Sequence, residues 1–94
     1  MENYVNYTKI ILEIADRLTS YQVPFSIKLL YGGAQLRFPW HKGDIICHER
    51  SYGHELGMVE SFEFPWDEDD VSVLTPNEAV ERIVAEYFTF KNGD

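Results

Sequence analysis

The sequence predicts an α+β fold: a single two-layer domain over residues 1–94, with an antiparallel β-sheet and two helices on one face, in the order α-β-β-β-β-α. Three observations carry this. Residues 25–40 hold two runs of alternating apolar and polar side chains around Gly32-Gly33, the pattern of a β-hairpin. Residues 4–19 repeat apolar side chains at helical spacing. Thr75-Pro76-Asn77-Glu78 opens a second such stretch with the signals of a helix start. Both helices need an apolar surface to cover, and the hairpin offers one.

The first helix spans Tyr4–Thr19, with Tyr7, Ile10, Ile11, Ile14 and Leu18 on one side and Lys9, Glu13, Asp16 and Arg17 on the other. It ends before Pro24, because the residue preceding a proline is pushed out of the helical region. The hairpin follows. A two-residue type I′ turn at Gly32-Gly33, where both positions need φ > 0, pairs Tyr31 with Ala34, Leu29 with Leu36, Lys28 with Arg37 and Phe25 with Trp40. One face then carries Phe25, Ile27, Leu29, Tyr31, Ala34, Leu36, Phe38 and Trp40, and the other Ser26, Lys28, Leu30, Gln35 and Arg37. The first is core and the second is wet. Pro39 lacks a donor toward any third strand, so pairing there should stop nearby.

His41-Lys42-Gly43 reads as a turn and Asp44–Glu49 as a third strand, with Ile45 and Cys47 on one face and Ile46 and His48 on the other. Ser51–Gly57 reads as a polar loop. Met58–Phe64 reads as a fourth strand with Met58, Phe62 and Phe64 on its apolar side, although Glu60 sits among them. Trp66–Asp70 is an acidic loop and Val71–Leu74 is short and extended. Ala79, Val80, Ile83, Val84, Tyr87 and Phe88 line the second helix, which ends near Phe90.

At 45% hydrophobic and 15% aromatic, the 94 residues suffice for one core without disulfide or metal. No apolar run approaches the roughly 20 residues that span a bilayer. We expect no secretion signal, and a single cysteine, Cys47, points to a reducing, cytoplasmic setting. The net charge of −8 is uneven. Residues 1–50 hold six Lys/Arg against five Asp/Glu, and residues 51–94 hold two against eleven. That balance argues against direct nucleic-acid or membrane binding and leaves room for a basic partner.

The densest run of reactive groups is Cys47-His48-Glu49-Arg50-Ser51-Tyr52-Gly53-His54-Glu55. Strand alternation sends Cys47 and His48 to opposite faces, leaving only His54 as a base for a thiol nucleophile. The Cys/His/His/Glu spacing fits no zinc pattern. Asp67-Glu68-Asp69-Asp70 lacks the glycine and distant glutamate of a calcium loop. We therefore read no catalytic residues, no metal site and no cofactor. Lys28 set opposite Arg37 calls for a nearby acid, either Glu49 or Glu60 or the acidic surface of a partner or second copy. Arg50, Tyr52, His54 and Glu55 join them as a candidate binding set, because Tyr and Arg are enriched at protein interfaces.

Ile46-Cys47-His48, Ser51-Tyr52-Gly53-His54-Glu55 and Gly57-Met58-Val59-Glu60 resemble small proteins encoded by phages and prophages of Gram-positive bacteria. More loosely, so do the helix and hairpin before them. The resemblance implies a small intracellular accessory protein acting on host machinery. That group has no established activity, so it supplies no site residues. The reading that follows is a non-enzymatic protein-interaction module, binding a protein partner or itself. The alternatives are a metal- or thiol-dependent enzyme using Cys47, His54 and Glu55, or an acidic mimic of nucleic acid presenting 67–70, Glu78, Glu81 and Glu86.

Overall fold

The hairpin forms one step away from where the glycine pair predicts it. The computed structural model describes residues 7–51, 53–62 and 71–93, and in it the positive-φ turn residues are Tyr31 (φ 50) and Gly32 (φ 73). Strand β1 (Ser26–Leu30) and strand β2 (Gly33–Phe38) therefore close with Leu30 opposite Gly33. The two glycines do different work. Gly32 supplies the left-handed backbone, whereas a Cβ on Gly33 would lie 1.9 Å from the Cys47 carbonyl oxygen. Gly33 is a strand residue kept bare by the close approach of the next strand.

Each β1 residue consequently meets a β2 residue two positions nearer the turn than expected. Ile27 faces Leu36, Lys28 faces Gln35 and Ser26 faces Arg37. A shift of two preserves the side-chain alternation, so the faces survive while the partners change. Ala34, Leu36, Phe38 and Trp40 are buried as predicted, whereas Leu29 (70% exposed) and Tyr31 (49% exposed), expected on the same core face, are not: Leu29 lies on the edge strand and Tyr31 in the turn. Lys28 and Arg37 are not opposite one another. Across from Arg37 on its other side stands Asp44. Asp44 also accepts from the Gln35 side-chain amide at 2.7 Å.

Strand β3 (His41–Cys47) begins earlier than predicted, because the chain turns at Pro39-Trp40 rather than at 41–43. A register irregularity between Arg37 and Phe38 brings Phe38 against His41, and the Trp40 indole donates to the Pro24 carbonyl at 2.9 Å. Gly43, which looks like a turn residue, is buried within the strand. Strand β4 (Val59–Phe62) shows its other face to the core: Val59 and Ser61 are fully buried, while Phe62 is 39% exposed. Its register against β3, with Ile45 opposite Ser61 and Ile46 opposite Glu60, decides the matter. Residues 63–70, including Phe64 and the acidic turn, lie outside the described residues. The extended segment becomes β5 (Val71–Leu74) and joins the sheet, whose order β1-β2-β3-β4-β5 is an antiparallel meander of five strands.

Helices α1 (Tyr7–Ser20) and α2 (Pro76–Asn92) cover one face. Helix α1 lies on β2 and β3, α2 lies on β4 and β5, and the two touch. Ile11, Ile14, Leu18, Leu36, Ile45 and Ile83 have no exposure, each such side chain contributing about 1.5–3 kcal/mol. The capping box of α2 is complete, with Glu78 N–H donating to the Thr75 hydroxyl and Thr75 N–H to the Glu78 carboxylate. Helix α1 ends in a Schellman motif. Val23 N–H reaches the Leu18 carbonyl, Gln22 N–H reaches that of Thr19, and Gln22 takes the left-handed position (φ 62).

Candidate functional site

At the turn end of the sheet the Tyr31-Gly32 turn meets the loop between β3 and β4. The loop is bent back by its own polar groups. Ser51 N–H donates to the His48 carbonyl, the Ser51 hydroxyl donates to the same oxygen, and His48 N–H donates to that hydroxyl. This bend ends β3 at Cys47, two residues before the predicted boundary. Gly53 (φ 85) and Gly57 (φ 71) then bracket a single 3₁₀ turn, His54–Leu56. Glu49 N–H donates to the Tyr31 carbonyl at 3.0 Å and anchors the loop to the hairpin turn.

The side chains form two aromatic contacts along the loop, one around Tyr31 and one between His54 and Tyr7. The Arg50 guanidinium lies 4.3 Å from the centre of the Tyr31 ring. The buried His48 ring meets Tyr31 edge-on at 5.2 Å. His54 meets Tyr7 of α1 edge-on at 5.1 Å. Hydrogen bonds assign the tautomers of both histidines. Arg50 N–H donates to His48 Nδ1 at 3.1 Å, so the neutral His48 ring carries its proton on Nε2. His54 bonds the Ser51 carbonyl through Nδ1, so the neutral His54 ring carries its proton there and keeps a lone pair on Nε2.

Of the predicted binding residues, Arg50 and His54 belong to this corner and Glu55 follows on the exposed 3₁₀ turn. Tyr52 lies outside the described residues. Lys28 and Arg37 stand apart, on the sheet face turned away from the helices. Arg37 borders a polar depression at the far end of the hairpin with Gln35, Lys42 and Asp44. Tyr31 and Tyr7, which the alternation and helical spacing assign only to apolar faces, belong to this region as well. The signal for Tyr31 was its place before Gly32-Gly33, which reads as a flank until the register moves it into the turn.

Cys47 sits in the core row of β3, fully buried, with its thiol 3.5 Å from the Met58 carbonyl. Burial pushes its pKa up from 9.0 to about 11. It is a protonated thiol at neutral pH, the wrong form for a nucleophile or metal ligand. The Ser51 hydroxyl is held by the His48 main chain. Among the described residues no three His, Cys, Asp or Glu side chains gather as a metal would require. What the corner offers chemically is a half-exposed ring, a stacked cation and imidazole groups: contact chemistry. Compared with models of known families, with curated proteins and with solved structures, the chain gives no match.

Proposed function

We propose that this chain is a small intracellular, non-enzymatic module of phage accessory type that binds a protein partner through the corner formed by Tyr31, His48, Arg50 and His54. The observation that carries the reading is the backbone of Tyr31. A bulky aromatic in the left-handed region costs about 1–2 kcal/mol, and this turn type takes Asn or Gly there without strain. Strain kept at an exposed position is a mark of function. Tyr31 is 49% exposed with Arg50 across its face, a pairing of two residue types enriched at interface hot spots.

The competing readings have less behind them. A thiol enzyme would need Cys47 ionised and reachable, and it is neither. An acidic mimic would use 67–70, which lie outside the described residues, with Glu78, Glu81 and Glu86, of which Glu78 closes the cap of α2 and Glu86 bonds His41.

Affinity capture with wild type, Tyr31→Asn and Arg50→Glu tests the proposal. Relief of about 1–2 kcal/mol of strain offsets the roughly 0.5–1 kcal/mol of lost ring contact, so Tyr31→Asn should melt no lower than wild type. We expect the proteins captured by wild type to be missing from both variants. Variants that retain the wild-type set, or a wild type that captures nothing, would refute the reading.

A further inference from the structure

We propose that the outer edge of β1, with the groove between it and α1, takes up an extended basic and apolar segment of another protein as an added strand. These residues are separate from the corner described above.

Strand β1 ends the sheet, so one side of it has no strand partner among the described residues. Its hydrogen-bonding pattern follows from the hairpin. Leu30 and Gly33 flank a two-residue turn and so form a hydrogen-bonded pair, and alternation gives the same status to Lys28–Gln35 and Ser26–Arg37. The N–H and C=O groups of Ile27 and Leu29 therefore point outward, along the open edge. Edge strands are usually blunted by proline or a bulge. Between Ser26 and Leu30 there is no proline, and the pairing with β2 is unbroken.

On the helix-covered side of this edge runs a groove, with Phe25 and Ile27 on its β1 side and Leu12, Glu13 and Asp16 on its α1 side. Phe25 and Ile27 pack against the core but are only partly buried, and Leu12 is half-exposed. A strand added to β1 would set every second side chain over this groove. Apolar side chains there would finish the burial that Phe25, Ile27 and Leu12 lack, while the main chain pairs with Ile27 and Leu29.

The charges select the occupant. Glu13 and Asp16 lie one turn apart on α1, and neither has an ion pair or hydrogen bond among the described residues. Like charges at that spacing repel. Arg17, one turn beyond Glu13, is held instead by the Asn77 side chain of α2. Lys9 also borders the groove and offsets one of the two carboxylates, so the rim keeps a net negative charge. The chain as a whole carries −8, a field that draws cationic segments in and repels a second copy. A segment with Lys or Arg flanking its apolar residues fits both the floor of the groove and its rim.

Titration of the isotope-labelled whole chain with short synthetic peptides, followed by amide chemical shifts, tests this. One peptide alternates Val and Thr and carries Arg at each end. A second has Glu in place of Arg, and a third is the Arg peptide with every backbone nitrogen methylated. We expect the Arg peptide to bind reversibly, to shift the Ile27 and Leu29 amides and to slow their hydrogen exchange. The Glu peptide should bind about tenfold more weakly, and the methylated one should not bind, because it has no N–H to pair with β1. Glu13→Lys combined with Asp16→Lys should reverse the preference between Arg and Glu. Its circular dichroism should match wild type, since both side chains face solvent. Ile27 and Leu29 amides that ignore the Arg peptide overturn the proposal. So do equal binding of the Arg and Glu peptides, binding of the methylated peptide, a preference that survives the double exchange, or an edge already occupied by a second copy.

Discussion

Cys47 is the side chain whose surroundings alter its chemistry most clearly. In the folded protein burial holds its pKa at about 11, against 9.0 for an ordinary thiol. Below pH 9 both folded and unfolded chains carry the proton, so the contribution of the buried thiol is fully present. As pH rises the unfolded chain ionises first and gains stability that the native state lacks until about pH 11. Stability should fall across that window by up to about 2–3 kcal/mol from this group alone. Cys47→Ala removes the titration. Urea denaturation on either side of the window should therefore show a larger alkaline loss in wild type than in the variant. The same burial predicts that thiol reagents react with Cys47 only as fast as the protein opens. Its burial was legible from the alternation with Ile45, and the depth of burial was not.

At the scale of elements the hairpin shows how a correct pattern can carry a wrong register. Alternation assigns residues to faces, and turn chemistry assigns them to partners. Two adjacent glycines look like the centre of a turn. The packing of β3 against β2 claims Gly33 for a different reason, the approach of the Cys47 carbonyl. The turn then falls on Tyr31-Gly32. Gly33→Ala should accordingly cost about 3 kcal/mol or prevent folding, because it is backbone that must give way. Denaturant midpoints would measure this, and a change below about 1 kcal/mol would contradict the close approach. Strand β4 departs from its sequence pattern for a related reason. Met58, Glu60 and Phe62 form the more apolar side on paper, yet pairing with β3 turns Val59 and Ser61 inward. The capping box of α2 needed no tertiary help, since its signals lie within four consecutive residues. The left-handed Gln22 was invisible, because Gln carries no turn signal.

In the whole molecule the far end of the hairpin is fastened to the last turns of α2. The Gly43 N–H donates to His41 Nδ1 at 2.8 Å, which leaves the His41 Nε2 proton facing Glu86 at 3.3 Å. The His41 side chain has no exposure, and Trp40 beside it packs against Tyr87 and Phe90 at 5.1 and 5.9 Å. His41→Ala opens this contact and leaves the buried Gly43 N–H unpaired, so we expect a loss of about 2–4 kcal/mol. Glu86→Gln keeps an acceptor oxygen for the same bond and should cost under about 1 kcal/mol. Equilibrium unfolding of the two variants separates these outcomes. This junction joins residues 45 apart in the chain, and nothing in the local sequence announces it.

From its own order of residues the chain determines the class of fold, the helices, the helix cap, and which side of the hairpin is core. These follow from periodicities of 2 and 3.6 and from contacts within a few residues. The tertiary structure alone decides which residues sit opposite one another, which side of β4 faces inward, and that Tyr31 and Arg50 share a corner. Those outcomes depend on how strands compete for the same backbone groups and the same space, a competition between segments that no single segment records.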